Sequence, residues 1–163
     1  MELTIESAAP ADAEAIAALY NDAIEERSAT FETRHRSAGE MAERIEGTEL
    51  PFLVARDGEA VIGWGALAPY SDRPVYAGVA EASVYVAAAA RGRGVGTRLV
   101  EAVAEAARRK GIHKLLGKLF MTNVASVRLV ERCGFRTVGV HVRHGRLDGE
   151  WRDVLLVERL LDE

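Results

Sequence analysis

The chain has 163 residues, 48% of them hydrophobic and 28% charged, a composition typical of one globular domain with a sizeable core. The formal net charge is -4 and no basic tail is present, which excludes the broad positive surface of a nucleic-acid-binding protein. The single cysteine, Cys133, excludes an intramolecular disulfide and a thiolate zinc site.

The first residues, MELTIESAAP, include an acidic residue and no long apolar run. They therefore indicate neither a signal peptide nor a membrane-spanning helix. We predict one domain over residues 1-163, located in the cytoplasm, that binds neither nucleic acid nor a membrane.

The first predicted elements are an edge strand, LTIES, and an amphipathic helix that begins near Pro10. A second, shorter helix is predicted over 37–46. The stretch PFLVARDGEAVIGWGAL predicts two apolar strands joined by a turn at Asp57-Gly58, and it is the clearest hairpin in the chain.

The next strand is predicted over 80–87, where β-branched and aromatic residues are frequent. The alanine run at 87–90 is predicted to be a short loop, and it leads into the glycine-rich segment RGRGVG. After this segment, apolar residues at helical spacing predict a third helix, with Leu99 and Val103 facing inward.

HKLLGKLF predicts a fifth strand, and a helix from about Asn123 to Cys133 is expected to end at Gly134. Two last strands, 135–144 and 151–159, flank a turn at Asp148-Gly149. The order β-α-α-β-β-β-α-β-α-β-β predicts a mixed α/β fold.

The segment from Arg91 to Gly96 lies between a strand and a helix, a place suited to phosphate binding. Alternating glycines allow successive backbone N–H groups to point into one concavity, and the helix start adds unpaired N–H groups and partial positive charge. Arg91, Arg93 and Arg98 can add full charges. We therefore predict a site for a pyrophosphate.

Three phosphate-binding patterns can be compared with this loop. A Walker loop requires a lysine after the last glycine, but Gly96 is followed by Thr97. A dinucleotide fingerprint requires a glycine at 97 and an acidic residue ending the next strand, and HKLLGKLF has none. The pattern R/QxxGxG is met by Arg91, Gly94 and Gly96. A tight turn that binds no ligand remains the alternative.

The pattern R/QxxGxG is the coenzyme A loop of the GNAT acetyltransferases, and the chain resembles the phosphinothricin-type branch of that superfamily over nearly its whole length. The resemblance rests on YNDAI, SATFET, EMAERI, PFLVARDGEAVIGWGAL, AEASVYV, RGRGVG, HKLLGKL, NVASVRLVERCGF and GEWRDVLLVERLL. It implies the acyl-CoA N-acyltransferase fold, in which helices flank a central mixed β-sheet with splayed parallel strands. It also implies a homodimer.

The resemblance further implies an acetyl-CoA site. The pantetheine chain would lie beside the splayed strand, and the glycine loop would hold the pyrophosphate. The residues implied in this binding are Val84, Tyr85, Val86, Arg91, Gly92, Arg93, Gly94, Val95, Gly96, Thr97, Asn123 and Ser126.

An ammonium group must lose a proton before it can attack a thioester, and an α-amino group titrates near about 8. Glu81 matches the glutamate proposed as general base in this branch, acting directly or through water. The alternative is an ordinary strand carboxylate that faces solvent. By analogy with the fold, a backbone N–H near Val86 would hold the developing oxyanion.

Tyr85 is a further candidate, as proton donor to the leaving thiolate, although a strand tyrosine is more often a packed side chain. One residue departs from the pattern of the branch. Some relatives carry a histidine after the leucine that corresponds to Leu129, and this chain has Val130 there.

Substrates of this branch carry a carboxylate and often a second anionic or polar group, so a cationic contact is expected. The resemblance assigns this role to Arg73, with Tyr76, Phe31 and Glu32 as further walls, and a surface loop is the alternative. His141 and His144 lie three residues apart in a predicted strand and are expected on opposite faces, so no metal site is predicted.

The resemblance therefore implies transfer of acetyl from acetyl-CoA to the α-amino group of a small amino-acid-like substrate or its toxic analogue. The substrate types are phosphinothricin, methionine sulfoximine and arsinothricin. Two alternatives remain open at this point, acetylation of a protein N-terminus and a non-catalytic module that binds acetyl-CoA.

Overall fold

The computed structural model describes residues 1–161 and contains one mixed seven-stranded sheet with helices packed on it. The elements are β1 (Leu3–Ser7), α1 (Ala13–Glu26), α2 (Ala38–Gly47), β2 (Phe52–Asp57), β3 (Ala60–Pro69), β4 (Val79–Val86), α3 (Val95–Arg109), β5 (Lys114–Phe120), α4 (Val124–Arg132), β6 (Arg136–Leu147) and β7 (Glu150–Leu160). The predicted α/β order is confirmed. The alanine run predicted as a loop forms a single 3-10 turn at Ala88–Ala90.

The sheet opens at its centre. Its strand order is β1-β2-β3-β4-β5-β7-β6, and β4 and β5 are the parallel neighbours, connected through α3. Their pairing joins Val79–Glu81 to Lys114–Leu116 and goes no further along either strand. From Leu116 onward β5 stays paired with β7, as far as Phe120. The two central strands therefore diverge towards their C-terminal ends and leave a cleft.

Each face of the sheet has its own core. On one face α1 and α2 cover Trp64, which is fully buried together with Ile16 and Ile24 of α1. On the other face Leu99 and Val103 of α3 are buried against the sheet, as predicted. These two packed faces fix the ends of α1 and α3, which border the cleft.

Two glycines of β3 allow α3 to lie close to the sheet. A Cβ atom at Gly63 would stand 2.9 Å from Leu99 Cδ1, and one at Gly65 would stand 3.0 Å from Val103 Cγ2. Real Cβ contacts are essentially never shorter than 3.0 Å, so a side chain at either position would force Leu99 or Val103 of α3 to move. The close packing brings the start of α3 next to the end of β4.

The expectation that His141 and His144 lie on opposite faces is wrong. Their rings stack with centroids 4.2 Å apart. The cause is an irregularity in β6, where the register with β7 shifts between His141 and Gly145 and Arg143 has a φ of 50°. Among residues 1–161, the pair gains no third His, Cys, Asp or Glu that would complete a metal-binding group. No helix in the same range is long and apolar enough to cross a membrane.

Candidate active site

Two adjoining cavities occupy the cleft between β4 and β5. The inner cavity lies under the point where the strands separate, and Glu81, Lys118 and Phe120 are among its walls. The outer groove, about 850 Å³ in volume, follows the glycine loop. Both are bordered by Ala29, Val84, Tyr85, Asn123, Ser126 and Leu129. A long ligand lying along the loop could therefore reach the inner cavity.

The open edge of β4 presents backbone groups to the cleft. Alternate residues of a strand direct their N–H and C=O groups to opposite neighbours, and the Ala87 N–H donates to the Ile62 carbonyl on β3 at 2.8 Å. Val84 and Val86 therefore face the side that β5 has left. The side chain of Arg91 donates through Nε to the Val86 carbonyl at 3.2 Å. Among residues 1–161, no residue of β5 pairs with the Val84 backbone, which can therefore pair with a ligand that carries amide groups.

The glycine loop has the conformation that its sequence predicts. Gly92 and Gly94 have φ values of 78° and 83°, in the left-handed region that favours glycine. A Cβ atom at either position would meet no atom within 4 Å, so both glycines border open space. Within residues 1–161, no backbone acceptor bonds the N–H groups of residues 92–97. The loop thus offers a row of unpaired donors at a helix N-terminus, which suits a diphosphate.

Gly96 has a different role from the two glycines before it. A Cβ atom there would stand 3.0 Å from Leu129 Cδ2, on α4. The absence of a side chain therefore allows the first turn of α3 to approach α4 closely. Both residues border the outer groove.

The charges at the loop differ from those suggested by its sequence. Arg91 forms a two-pronged ion pair with Glu26 at the end of α1, with N···O distances of 2.7 and 2.8 Å. The hydrogen bond from Arg91 holds the pKa of Glu26 below its ordinary value. Arg93 is not among the walls of the groove, whereas Arg128 and Arg132 of α4 are. Arg128 and Arg132 are four residues apart, which puts both on one face of the helix. This spacing is the sequence feature from which the pair could have been predicted.

Asn123, predicted to contact the coenzyme, fixes the start of α4. Its Oδ1 accepts a hydrogen bond from the Ser126 N–H at 3.3 Å, as an N-cap does. Its Nδ2 donates to the Ser28 carbonyl at 3.1 Å and so connects α4 to the segment after α1. Asn123 and Ser126 both lie on the boundary between the two cavities.

Glu81 is the last residue of β4 that pairs with β5, opposite Leu116, just where these two strands begin to diverge. Its side chain is about one-third exposed, and Oε2 lies 3.5 Å from Nζ of Lys118. Lys118 comes from β5, two residues beyond Leu116 on the same face. This position agrees with a carboxylate that faces a ligand cavity. The proximity of Lys118 to Glu81 was not predicted from the sequence.

Tyr85 belongs to an aromatic cluster. Its ring stacks on Trp64 at a centroid distance of 4.8 Å and meets the edge of Tyr20 at 5.3 Å. Burial raises the pKa of the Tyr85 hydroxyl well above its ordinary value, which makes it a weaker acid. The contacts therefore favour the packing role over that of a proton donor.

The four predicted substrate contacts are not gathered at one place. Phe31 packs edge-to-face on Phe120, at a centroid distance of 4.7 Å, and so supports the wall of the inner cavity. Glu32 is exposed and forms an ion pair with Arg36 at 2.7 Å. Arg73 and Tyr76 lie in an exposed loop, with the guanidinium over the tyrosine ring at 5.6 Å, and border neither cavity.

A further cation near this wall was not singled out from the sequence. The guanidinium carbon of Arg152 lies 5.5 Å from the centre of the Phe120 ring. Its Nε is buried and has no hydrogen-bond partner within residues 1–161. Buried N–H groups are nearly always paired, which makes this arginine unusual.

Comparison with known proteins identifies the family. The acetyltransferase (GNAT) family matches residues 16–135. An L-methionine sulfoximine/L-methionine sulfone acetyltransferase of Pseudomonas paraeruginosa is 32% identical, over 99% of this chain and 96% of its own. The structure of a phosphinothricin acetyltransferase from Sinorhizobium meliloti, in complex with acetyl-CoA, is 29% identical with a TM-score of 0.93, covering 100% of this chain and 90% of its own.

A third similar protein is a ribosomal-protein-alanine N-acetyltransferase from Brucella melitensis. Its structure is 31% identical with a TM-score of 0.93, covering 96% of this chain and 99% of its own. These likenesses confirm the predicted acyl-CoA N-acyltransferase fold, with its splayed central strands. The chain belongs to the acetyltransferase (GNAT) family and is an acetyl-CoA-dependent N-acetyltransferase.

Proposed function

We propose that the chain acetylates the α-amino group of a small amino-acid-like acceptor, such as methionine sulfoximine, methionine sulfone, phosphinothricin or arsinothricin. One observation carries the proposal. Among residues 1–161, Glu81 is the one carboxylate that borders the inner cavity, and this cavity adjoins the groove of the glycine loop. A base and the groove for an acyl carrier therefore meet at one place.

Acetyl-CoA supplies the acetyl group as an activated thioester. The residues of the groove fit this molecule, because the row of unpaired N–H groups from 92 to 97 suits its diphosphate. Arg128 and Arg132 add positive charge beside the same groove. The free backbone of Val84 would pair with the amides of the pantetheine chain.

The acceptor amine loses its proton to Glu81, directly or through one water molecule. The side chain is about one-third exposed, so both an amine and a water can reach it. The Val86 N–H, on the cleft side of β4, is the candidate donor for the developing oxyanion. The neutral amine then attacks the thioester carbon, and the C–S bond breaks as coenzyme A leaves as its thiolate. Val130 carries no titratable group, and burial raises the pKa of Tyr85, so neither is assigned as an acid that protonates this thiolate.

The test is an acetyl-CoA consumption screen with the four acceptors named above, the common amino acids and a peptide that begins with alanine. We expect turnover with at least one amino-acid analogue. Glu81→Gln should lower kcat by about 100- to 10,000-fold, because it removes the base. The Kd of acetyl-CoA, measured by calorimetry, should stay within about twofold. Turnover that is unchanged in Glu81→Gln for every acceptor would contradict this role.

The likeness to the Brucella melitensis enzyme supports a second candidate, acetylation of a protein N-terminus. An extended peptide requires an open groove at the acceptor side. Here Phe120 is a wall of the inner cavity and Phe31 packs on its ring, which favours a small acceptor. Competition between methionine sulfone and the alanine peptide in one assay decides between them. A module that only binds acetyl-CoA would consume none with any acceptor.

We further propose that the chain forms a homodimer in the cytoplasm and protects cells from toxic amino-acid analogues. Exposed apolar side chains on the last hairpin support the first part, because such patches often mark protein interfaces. These side chains are Val138, Val140, Val142 and Trp151. Sedimentation measures the oligomeric state, and growth with methionine sulfoximine, with and without expression, measures protection.

A further inference from the structure

The inner cavity contains a matched pair of charges. Glu81 supplies the negative charge, and Lys118 is the one cation among the described residues of the chain that border the cavity. Their side chains are about one-third and one-half exposed, so a small molecule can reach both. The ordinary explanation is that Lys118 only neutralises Glu81.

The geometry of this pair is too loose for that explanation alone. Lys118 Nζ lies 3.5 Å from Glu81 Oε2, whereas a charge-assisted N–H···O bond is about 2.7–2.9 Å long. Lys114, on the same strand, lies 2.6 Å from Glu158 and shows what a tight pair looks like in this protein. A lysine ammonium has three donors, so Lys118 keeps the capacity to bind another oxygen.

An α-amino acid carries the complementary pair of charges. Its ammonium and carboxylate are attached to one carbon through bonds of about 1.5 Å, so nitrogen and oxygen lie roughly 3 Å apart. This spacing matches the 3.5 Å between Lys118 and Glu81, with the signs reversed. An acceptor with its amino group at Glu81 therefore has its carboxylate within reach of Lys118.

We propose that Lys118 binds the α-carboxylate of the acceptor and makes the enzyme selective for α-amino acids over amines without a carboxylate. The inference rests on the proposed function, in which Glu81 receives the proton of the α-amino group. The ion pair between Glu81 and Lys118 opens when the acceptor binds, and each partner then faces the opposite charge of the acceptor. Lys118 is thus a specificity-determining residue.

The experiment compares two acceptors that differ only in the carboxylate, L-methionine sulfone and 3-(methylsulfonyl)propylamine. Lys118→Met should lower kcat/KM for the amino acid by about 10- to 100-fold, mainly through KM, because one charge-assisted contact is lost. Its effect on the amine should stay within about twofold. Lys118→Arg, which keeps the charge, should retain most of the selectivity.

Lys110→Met is the matched control, since Lys110 is an exposed lysine after α3 and borders neither cavity. It should leave both acceptors unchanged. An equal loss on both acceptors in Lys118→Met would overturn the inference and leave the proposed function standing, because Lys118 would then act only through Glu81. A wild-type enzyme that acetylates the amine as well as the amino acid would also overturn it. Failure of the proposed function is distinguishable, because the wild type would consume no acetyl-CoA with either acceptor.

Discussion

A pair of glycine variants can separate the effect of the glycine loop on coenzyme binding from its effect on protein stability. Gly94 and Gly111 lie at the two ends of α3, with φ values of 83° and 80°. A Cβ atom at either position meets nothing within 4 Å, so alanine introduces backbone strain without a clash. Gly94 borders the outer groove, and Gly111 does not. The two alanine variants should therefore lose similar stability and differ in coenzyme binding.

The magnitude follows from the backbone conformation. A left-handed L-residue costs about 1–2 kcal/mol of the free energy of unfolding. In a chain of 163 residues, each kcal/mol lowers Tm by about 2–4 °C, so both variants should melt about 2–8 °C below the wild type. Thermal unfolding without ligand measures this change. Gly111→Ala thus shows how much of any change in Gly94→Ala comes from lost stability alone.

Calorimetric titration with acetyl-CoA then isolates the effect on binding. Gly94→Ala puts a methyl group beside the row of N–H donors at residues 92–97, and we expect the Kd to rise at least about tenfold. Gly111→Ala should bind like the wild type. Equal Kd values for the two variants would refute the assignment of this loop to the diphosphate.

Two further predictions concern the surroundings of the loop. Glu26→Gln should destabilise the protein by only about 0.5 kcal/mol near neutral pH, because Glu26 and Arg91 are both well exposed and their attraction is screened. Arg91 depresses the pKa of Glu26 below 4.5, so the stabilisation by this ion pair is complete above pH 4.5 and disappears as the pH falls through the folded-state pKa. Denaturant unfolding at a series of pH values should therefore show the free energies of unfolding of wild type and variant converging in acid. Gly96→Val should cost about 1–3 kcal/mol, because its Cβ would lie 3.0 Å from Leu129 Cδ2. Addition of Leu129→Ala should recover part of this loss in thermal unfolding, and a strictly additive double variant would argue against the contact.

The order of elements could be predicted from the sequence because each element depends on local patterns. The Asp148-Gly149 turn and the positive φ of Gly134 after α4 follow from residues that are neighbours in the chain, whereas the first hairpin turns at Gly58-Glu59, one residue later than predicted. Leu99 and Val103 follow from the helical spacing of apolar residues and are fully or almost fully buried. Such signals require no knowledge of which strands pair.

Features that depend on departures from regular geometry were not predictable in this way. His141 and His144 would lie on opposite faces of a regular strand, but one left-handed residue, Arg143, brings the rings together. An arginine at a positive φ carries no recognisable sequence signal, unlike glycine or asparagine. Its N–H donates to Asp153 Oδ1 at 2.8 Å, on the neighbouring strand, so a contact across the sheet holds the irregularity.

The chemistry of the cleft depends on the pairing register of strands that are far apart in the sequence. Arg73 is eight residues before Glu81 in the sequence, yet the loop that carries it is exposed and borders neither cavity, so its contact with substrate stays a prediction. Lys118 is far along the chain and becomes a neighbour of Glu81 because β5 lies parallel to β4 with Leu116 opposite Glu81. A shift of this register by one residue would turn Lys118 to the other face of the sheet. The cation beside the base is therefore a property of strand pairing, and only the structure reveals it.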